Sequence, residues 1–425
     1  MASFSFGAGN VRKVLRIPAY LAGRLATLVI PRDRSAWVFG CAVGIADGAL
    51  ALWQAAPRPR AVWLVSTSRQ AEEARRLGIP TVRRDTWRGF WHTARAGVVV
   101  VTHGLGDVNR YGVGGAFLVQ LWHGIPLKRI GLDAPVTTDP GRLRGVPGIR
   151  RLLAWAYRRT QAQIDLLPAA SHLVRGRLES AFGLDDSRVP VLGEPRVDVL
   201  SPSDPARAAD EARRLLEAAV PGLGGSRTVL YAPTWRDGAP DPATPDAGDW
   251  KHILTVLEAH DAVLLVRSHP LGGGEYTPPE PTHRVRLLGS DLVADVTPLL
   301  ATMDALVTDY SSLAYDAGLV PLPTLFLAPD VERYGQTRGF YGTYREVAGA
   351  DAAQSWPQLC AQLDALLRDD AEADRRRKTA HDLSLRMHAW RDGRNAHRVH
   401  AAIVAAVPEA APPSGAEPDA AGERS

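Results

Sequence analysis

The strongest constraint on the fold is an alternation. Short apolar runs rich in Val, Leu and Trp recur along the chain, each separated from the next by a stretch with helical spacing. Runs that stay apolar on both faces belong to strands buried on both sides, and parallel pairing of such strands needs helical crossovers between them. Candidate strands are Ala36 to Phe39, Ala61 to Val65, Gly97 to Thr102, Phe117 to Leu121 and Arg188 to Leu192, then Thr228 to Tyr231, Ala262 to Val266, Val285 to Leu287, Ala305 to Thr308 and Thr324 to Leu327. The pattern breaks near Pro195 to Pro205, where prolines and a helix-capping Ser or Asp interrupt it. That break predicts two α/β domains, at 35–198 and 199–405. They are flanked by a basic segment at 1–34 and an Ala/Pro/Glu-rich tail at 406–425 that is expected to be disordered. The Pro/Gly/Asp-rich run Asp237 to Gly248 reads as a long mobile loop beside a substrate entrance.

With 425 residues, 45% of them hydrophobic, the chain has enough apolar material for two cores. Its 50 basic residues are nearly balanced by 46 acidic ones, which argues against a dedicated nucleic-acid binder. Cys41 and Cys360 are the only cysteines, too few for a disulfide framework or a cysteine zinc site, and they read as packing residues of a reducing compartment. No apolar stretch is long enough to span a bilayer and no secretory pattern opens the chain, so a cytoplasmic protein is expected. Within the first segment, Val11, Val14, Leu15, Pro18, Leu21, Leu25 and Leu28 recur at spacings of three and four among Arg12, Lys13, Arg16 and Arg24. Such a segment either packs on the N-terminal domain or lies on a membrane surface. Pro18 weakens the reading of a single helix.

Ligands of parallel sheets bind beyond the carboxyl ends of the strands, and the polar residues of this chain collect there. Leu121-Trp122-His123-Gly124-Ile125-Pro126-Leu127-Lys128 sets His123 between a strand and a Gly/Pro turn, with Gly124 leaving space and Lys128 adding charge. His269 ends another strand, after Arg267 and before Pro270. Thr308-Asp309-Tyr310-Ser311-Ser312 is a strand-to-helix turn whose hydroxyls and free N–H groups suit a phosphate, although Asp309 or Ser311 capping a helix is the simpler reading. Thr234 and Arg236 stand at a further strand end and are candidate phosphate contacts. Two domains whose strand ends face each other across a cleft suit a two-substrate transferase. The sequence contains no His-Glu-x-x-His, no Cys cluster, no Walker A run and no Gly-x-Gly-x-x-Gly, so neither a metal site nor a dinucleotide site is expected.

Taken in order, Val38-Phe39-Gly40, the His123 run, Gly193-Glu194-Pro195-Arg196, Tyr231 to Arg236, Arg267 to Pro270, Thr308 to Ser312, Arg338-Gly339-Phe340-Tyr341 and Asp392-Gly393 resemble the CDP-glycerol glycerophosphotransferase family. The likeness runs from about Ala36 to Val404, and it departs from the family pattern at Glu194 and Val197. It implies a GT-B fold of two Rossmann-like domains facing a central cleft. It also implies transfer of glycerol phosphate from CDP-glycerol to a hydroxyl of a lipid-linked polyol-phosphate or glycan acceptor, with loss of CMP, in teichoic acid or capsular polymer synthesis. By the same resemblance His123 is the general base, while His269, Ser311 and Ser312 meet the donor phosphates. No cofactor is implied; the basic N-terminal segment allows a cytoplasmic protein to sit peripherally on the inner face of the cell membrane. The alternatives are a ribitol-phosphate transferase of the same family, a nucleotide-sugar glycosyltransferase using Asp316 on sugar hydroxyls, and a non-catalytic polymer-binding protein.

Overall fold

The computed structural model describes residues 17–55, 60–141, 145–236, 240–268 and 276–411. The first sheet holds β1 (Asp33–Gly40), β2 (Arg60–Val65), β3 (Thr81–Arg83), β4 (Ala96–Val101) and β5 (Phe117–Gln120), all parallel, in the order β3-β2-β1-β4-β5. The second holds β6 (Arg227–Ala232), β7 (Ala262–Val266), β8 (Val285–Leu287), β9 (Ala305–Thr308) and β10 (Thr324–Phe326), again all parallel, in the order β10-β9-β6-β7-β8. Numbered within its own domain, the second order is the same as the first read from the other edge. Each sheet therefore reverses direction between its first and fourth strands, and a crevice opens there at the strand ends. In the first sheet this switch point lies between β1 and β4, in the second between β6 and β9.

Burial explains why these runs became strands. Every residue of β4 and β7 is buried, as continuous apolar composition requires of a strand covered on both faces. One face of the first sheet packs Trp37, Phe39, Trp63 and Val100 against the helix Asp47–Ala55. Its other face shares a cluster with Tyr310, Tyr315, Phe326 and Tyr344 of the second domain, so the two domains are joined through apolar contact. The second sheet is covered by the helices Ala247–Ala259 and Trp356–Arg368 on one face and Pro205–Ala219 on the other. This is the two-domain, GT-B-like arrangement.

Five points differ from what the sequence leads one to expect. Arg188 to Leu192 forms no strand; its one ladder contact is an isolated bridge from Val191 to Ala169. The three-residue edge strand β3 was not anticipated, because Thr-Val-Arg is too short and polar to stand out. The helix Asn395–Ala406, placed by sequence with the second domain, returns to the first, where Val399 and Ile403 pack on Trp37 and Phe39. Trp37 Nε1 then donates to the carbonyl of Ala410 at 3.2 Å, so 407–411 is ordered; 412–425 lies outside the described residues. Finally, 240–246 is no free loop. Trp356 Nε1 donates to Ala243 O, and Asp246 closes a capping box on the helix Ala247–Ala259, while 237–239 lies outside the described residues.

The first described helix, Ile17–Val29, contains Pro18. Tyr20 packs edge-on against Tyr111, and Gly23 lies where any Cβ would come within 2.5 Å of the Tyr111 carbonyl. The opposite face, with Leu21, Leu25 and Leu28, stays exposed. Residues 1–16, including Val11, Val14 and Leu15, lie outside the described residues.

Candidate active site between the two switch points

After β5 the chain turns sharply. Trp122 adopts φ +63 and Gly124 φ +133, so the turn carries a non-glycine residue in the left-handed region and holds His123 between them. A Cβ on Gly124 would lie 2.6 Å from Ser312 Oγ. That contact is the geometric centre of the site: the turn after β5 in one domain meets the turn after β9 in the other. The chain beyond His123 then crosses to the second domain. Lys128 bridges Phe340, Arg129 N donates to Gly339 O at 3.0 Å, and Tyr341 N donates to Leu127 O at 2.9 Å.

The His123 imidazole is stacked on His103, with ring centroids 4.3 Å apart and planes 10° from parallel. Its Nδ1 is shut off from solvent without a hydrogen-bond partner. Burial above all, then the neighbouring His103, holds its pKa well below 6.5, so the ring is neutral and able to accept a proton. His103 is likewise held down to about 4, chiefly by burial.

Ser311 and Ser312 both belong to the turn ahead of the short helix Leu313–Ala317. Ser311 Oγ accepts the amide of Leu313 at 3.3 Å, so the capping reading holds for that residue. No side-chain cap comes from Ser312, whose hydroxyl is turned to Gly124.

Behind the turn, Arg236, Thr234 and Asp309 are bonded to one another. Arg236 forms a fork on Asp330, with Nε and Nη2 each 3.0 Å from a carboxylate oxygen, and Nη1 reaches Asp309 Oδ2 at 2.8 Å. Asp309 Oδ1 accepts the amide of Thr234 at 2.9 Å. The guanidinium also lies over the rings of Tyr310 and Tyr334, at 4.8 and 5.0 Å. Expected from sequence as phosphate contacts, these three residues are placed where they brace the Ser311–Ser312 turn. Lys128 stands beside them, its ammonium pushed down to about 8 by burial first and by the Arg338 charge next. Asp309 and Arg236 also act on the Lys128 ammonium, the first holding its pKa up and the second pushing it down. His269 lies outside the described residues; Arg267, two residues ahead of it in the sequence, donates to the carbonyls of Leu288, Val293 and Ala294.

Asp316 is fully buried. Arg196 Nη2 sits 2.8 Å from both of its oxygens, and His388 Nε2 lies 3.6 Å away. Sealed in this way, it has no open face for a sugar hydroxyl. Glu194 lies 3.2 Å from the same guanidinium, outside hydrogen-bonding geometry, and burial raises its pKa to about 7.

One group escaped the sequence reading. Cys41 after β1, Asp47 at the start of the next helix and His103 after β4 bring one ligand atom each to within 4.8 Å of one another. Their spacing matches no metal motif, but all three follow the two strands that define the first switch point, and that rule would have found them.

A family model described as CDP-glycerol:poly(glycerophosphate) glycerophosphotransferase matches residues 47–405. The teichoic acid poly(glycerol phosphate) polymerase of Staphylococcus epidermidis is 31% identical over 240 residues, which is 54% of this chain and 31% of that protein. The teichoic acid ribitol-phosphate polymerase TarK of Staphylococcus aureus is 30% identical over 197 residues, 46% of this chain and 37% of that protein. The chain thus spans about a third of the length of these curated relatives. A solved structure of the wall teichoic acid polymerase TagF superposes with a TM-score of 0.69 at 22% identity, covering 94% of this chain and 97% of that one, a likeness of fold.

Proposed function

Because the chain belongs to the CDP-glycerol:poly(glycerophosphate) glycerophosphotransferase family, we propose that it transfers glycerol phosphate from CDP-glycerol to a hydroxyl of a lipid-linked polyol-phosphate or glycan acceptor in teichoic acid or capsular polymer synthesis. The observation that carries this reading is the meeting of Gly124, next to the neutral His123, with Ser312. In this reading the proton acceptor comes from the turn after β5 of the first domain and the hydroxyls from the turn after β9 of the second. The acceptor oxygen attacks the phosphorus that bears glycerol while its proton passes to His123, and the bond from that phosphorus to the CMP phosphate breaks. CMP leaves with the electron pair. Ser311, Ser312, His269 and Lys128 meet the phosphate charge, which hydroxyl and cationic donors held in place stabilise as it shifts. The chain's own groups supply this chemistry in the proposed reaction, with no organic cofactor.

The sealed Asp316 speaks against the sugar-transferring alternative. Ribitol phosphate remains a second reading, favoured by the likeness to TarK. Purified protein given CDP-glycerol, CDP-ribitol and UDP-sugars in parallel is expected to turn over CDP-glycerol fastest; faster turnover of a UDP-sugar would refute the assignment.

Among the described residues no helix is long and apolar enough to cross a membrane. The exposed Leu21, Leu25 and Leu28 are joined by the exposed Leu152 and Trp155 of the neighbouring helix Ile149–Gln161, with Arg24, Arg110 and Arg159 lining the groove between. Apolar side chains rimmed by arginines fit an anionic membrane surface, in agreement with a lipid-linked acceptor and a peripheral place on the inner face of the membrane. Binding to anionic vesicles is expected at low salt, weakening as salt rises and on deletion of residues 1–30. Equal binding by the deleted chain would sink the role of this segment.

A further inference from the structure

We propose that Cys41, Asp47 and His103 form a binding site for a single zinc-like divalent cation at the first switch point, beside His123. The ligand atoms, mutually within 4.8 Å, need to close only to about 3.5 Å to bring each to tetrahedral bonding distance of one ion. They come from the two connections that leave the strands β1 and β4, Cys41 and Asp47 from the first and His103 from the second, so the site is built into the sheet. A thiolate, an imidazole and one carboxylate select a borderline metal such as Zn²⁺ over the oxygen-seeking Mg²⁺ or Ca²⁺. Three protein ligands leave the fourth position open.

Two further observations point to a cation. Thr102 supplies an outer contact to two of the ligands, its Oγ1 lying 3.1 Å from Cys41 Sγ and 2.7 Å from His103 Nδ1, as partners that orient metal ligands do. Carboxylates also stand around the group. Asp47 interacts with the carboxylates of Asp295 of the second domain and Glu194 and with the cation Arg196, and Asp107 acts on Cys41. Asp47 itself adopts φ +63, a left-handed conformation rare for a non-glycine residue. The spacing that gave no expectation of a metal from sequence is explained by topology: the ligands adjoin only after β1 and β4 pair.

The test uses untagged full-length protein stripped by chelation and then titrated with Zn²⁺ or Co²⁺, without donor or acceptor. One equivalent should bind beyond that taken up by Cys41→Ser, and Co²⁺ should give a thiolate-to-metal charge-transfer band that Cys41→Ser lacks. Asp47→Asn and His103→Asn should each weaken binding by at least about tenfold. Equal uptake by wild type and His103→Asn, or a Co²⁺ complex without the thiolate band, overturns the site. His103→Asn serves as the comparison should Cys41→Ser not fold. Metal binding is read without turnover, so its failure leaves the transfer reaction standing, and failure of the transfer reaction leaves the metal site standing.

Discussion

His123→Ala is expected to lower kcat by roughly 100 to 10,000-fold, the range over which a positioned general base acts, while the affinity for CDP-glycerol stays within a few-fold of wild type. The imidazole is neutral and stacked on His103, and the neighbouring Gly124 faces Ser312 of the donor side. Removing the ring therefore takes away the proton acceptor and leaves the Ser311–Ser312 turn, braced by Arg236 and Asp309, in place. His269→Ala should behave differently and weaken donor binding along with turnover. Calorimetric titration of the donor beside steady-state rates separates the two. A His123→Ala protein that no longer binds CDP-glycerol would reverse the assignment.

Arg196→Met should destabilise the fold by about 3–5 kcal/mol, the usual cost of leaving a buried charge without its partner. Arg196 is the counter-charge to Asp316, which is fully buried, and stands 3.2 Å from the buried Glu194. It also lies on the crossing between the domains. There Asp198 accepts the amides of Asn395 and Ala396, and Asn395 Nδ2 donates to Glu194 O, so the loss falls where both chain crossings are tied together. Chemical denaturation followed by circular dichroism measures the effect. An unchanged midpoint would mean that the pair is replaceable by packing, as happens when hydrophobic residues fill the volume of a buried ion pair.

Strands were legible in the sequence wherever burial on both faces wrote a continuous apolar run, as in β4 and β7. The edge strand β3 was not, since three residues with a part-exposed face leave no period to read. The return of the helix Asn395–Ala406 to the first sheet was equally hidden: its apolar face fits any sheet, and the partners Trp37 and Phe39 are far away in the chain. At the candidate site, His123, Gly124 and the two serines stand out in the sequence because each follows closely on a strand, and Lys128 because it ends the same run as His123. What the sequence concealed was pairing. Arg236 reads as a free cation until Asp330 is seen to hold it in a fork, and Asp316 reads as an available carboxylate until Arg196 and His388 close over it. Long-range ion pairs leave no local spacing, so charge alone overstates how many groups are open to a ligand.

Which bond breaks decides the reaction class, and the nucleotide product reports it. Incubation of the purified chain with CDP-glycerol and a lipid-linked glycerol-phosphate acceptor, with separation of the nucleotides formed, is expected to give CMP in amounts equal to the glycerol phosphate gained by the acceptor. Release of CDP with transfer of glycerol alone, or no nucleotide release by a folded protein that still binds the donor, would contradict attack at phosphorus between the two switch points.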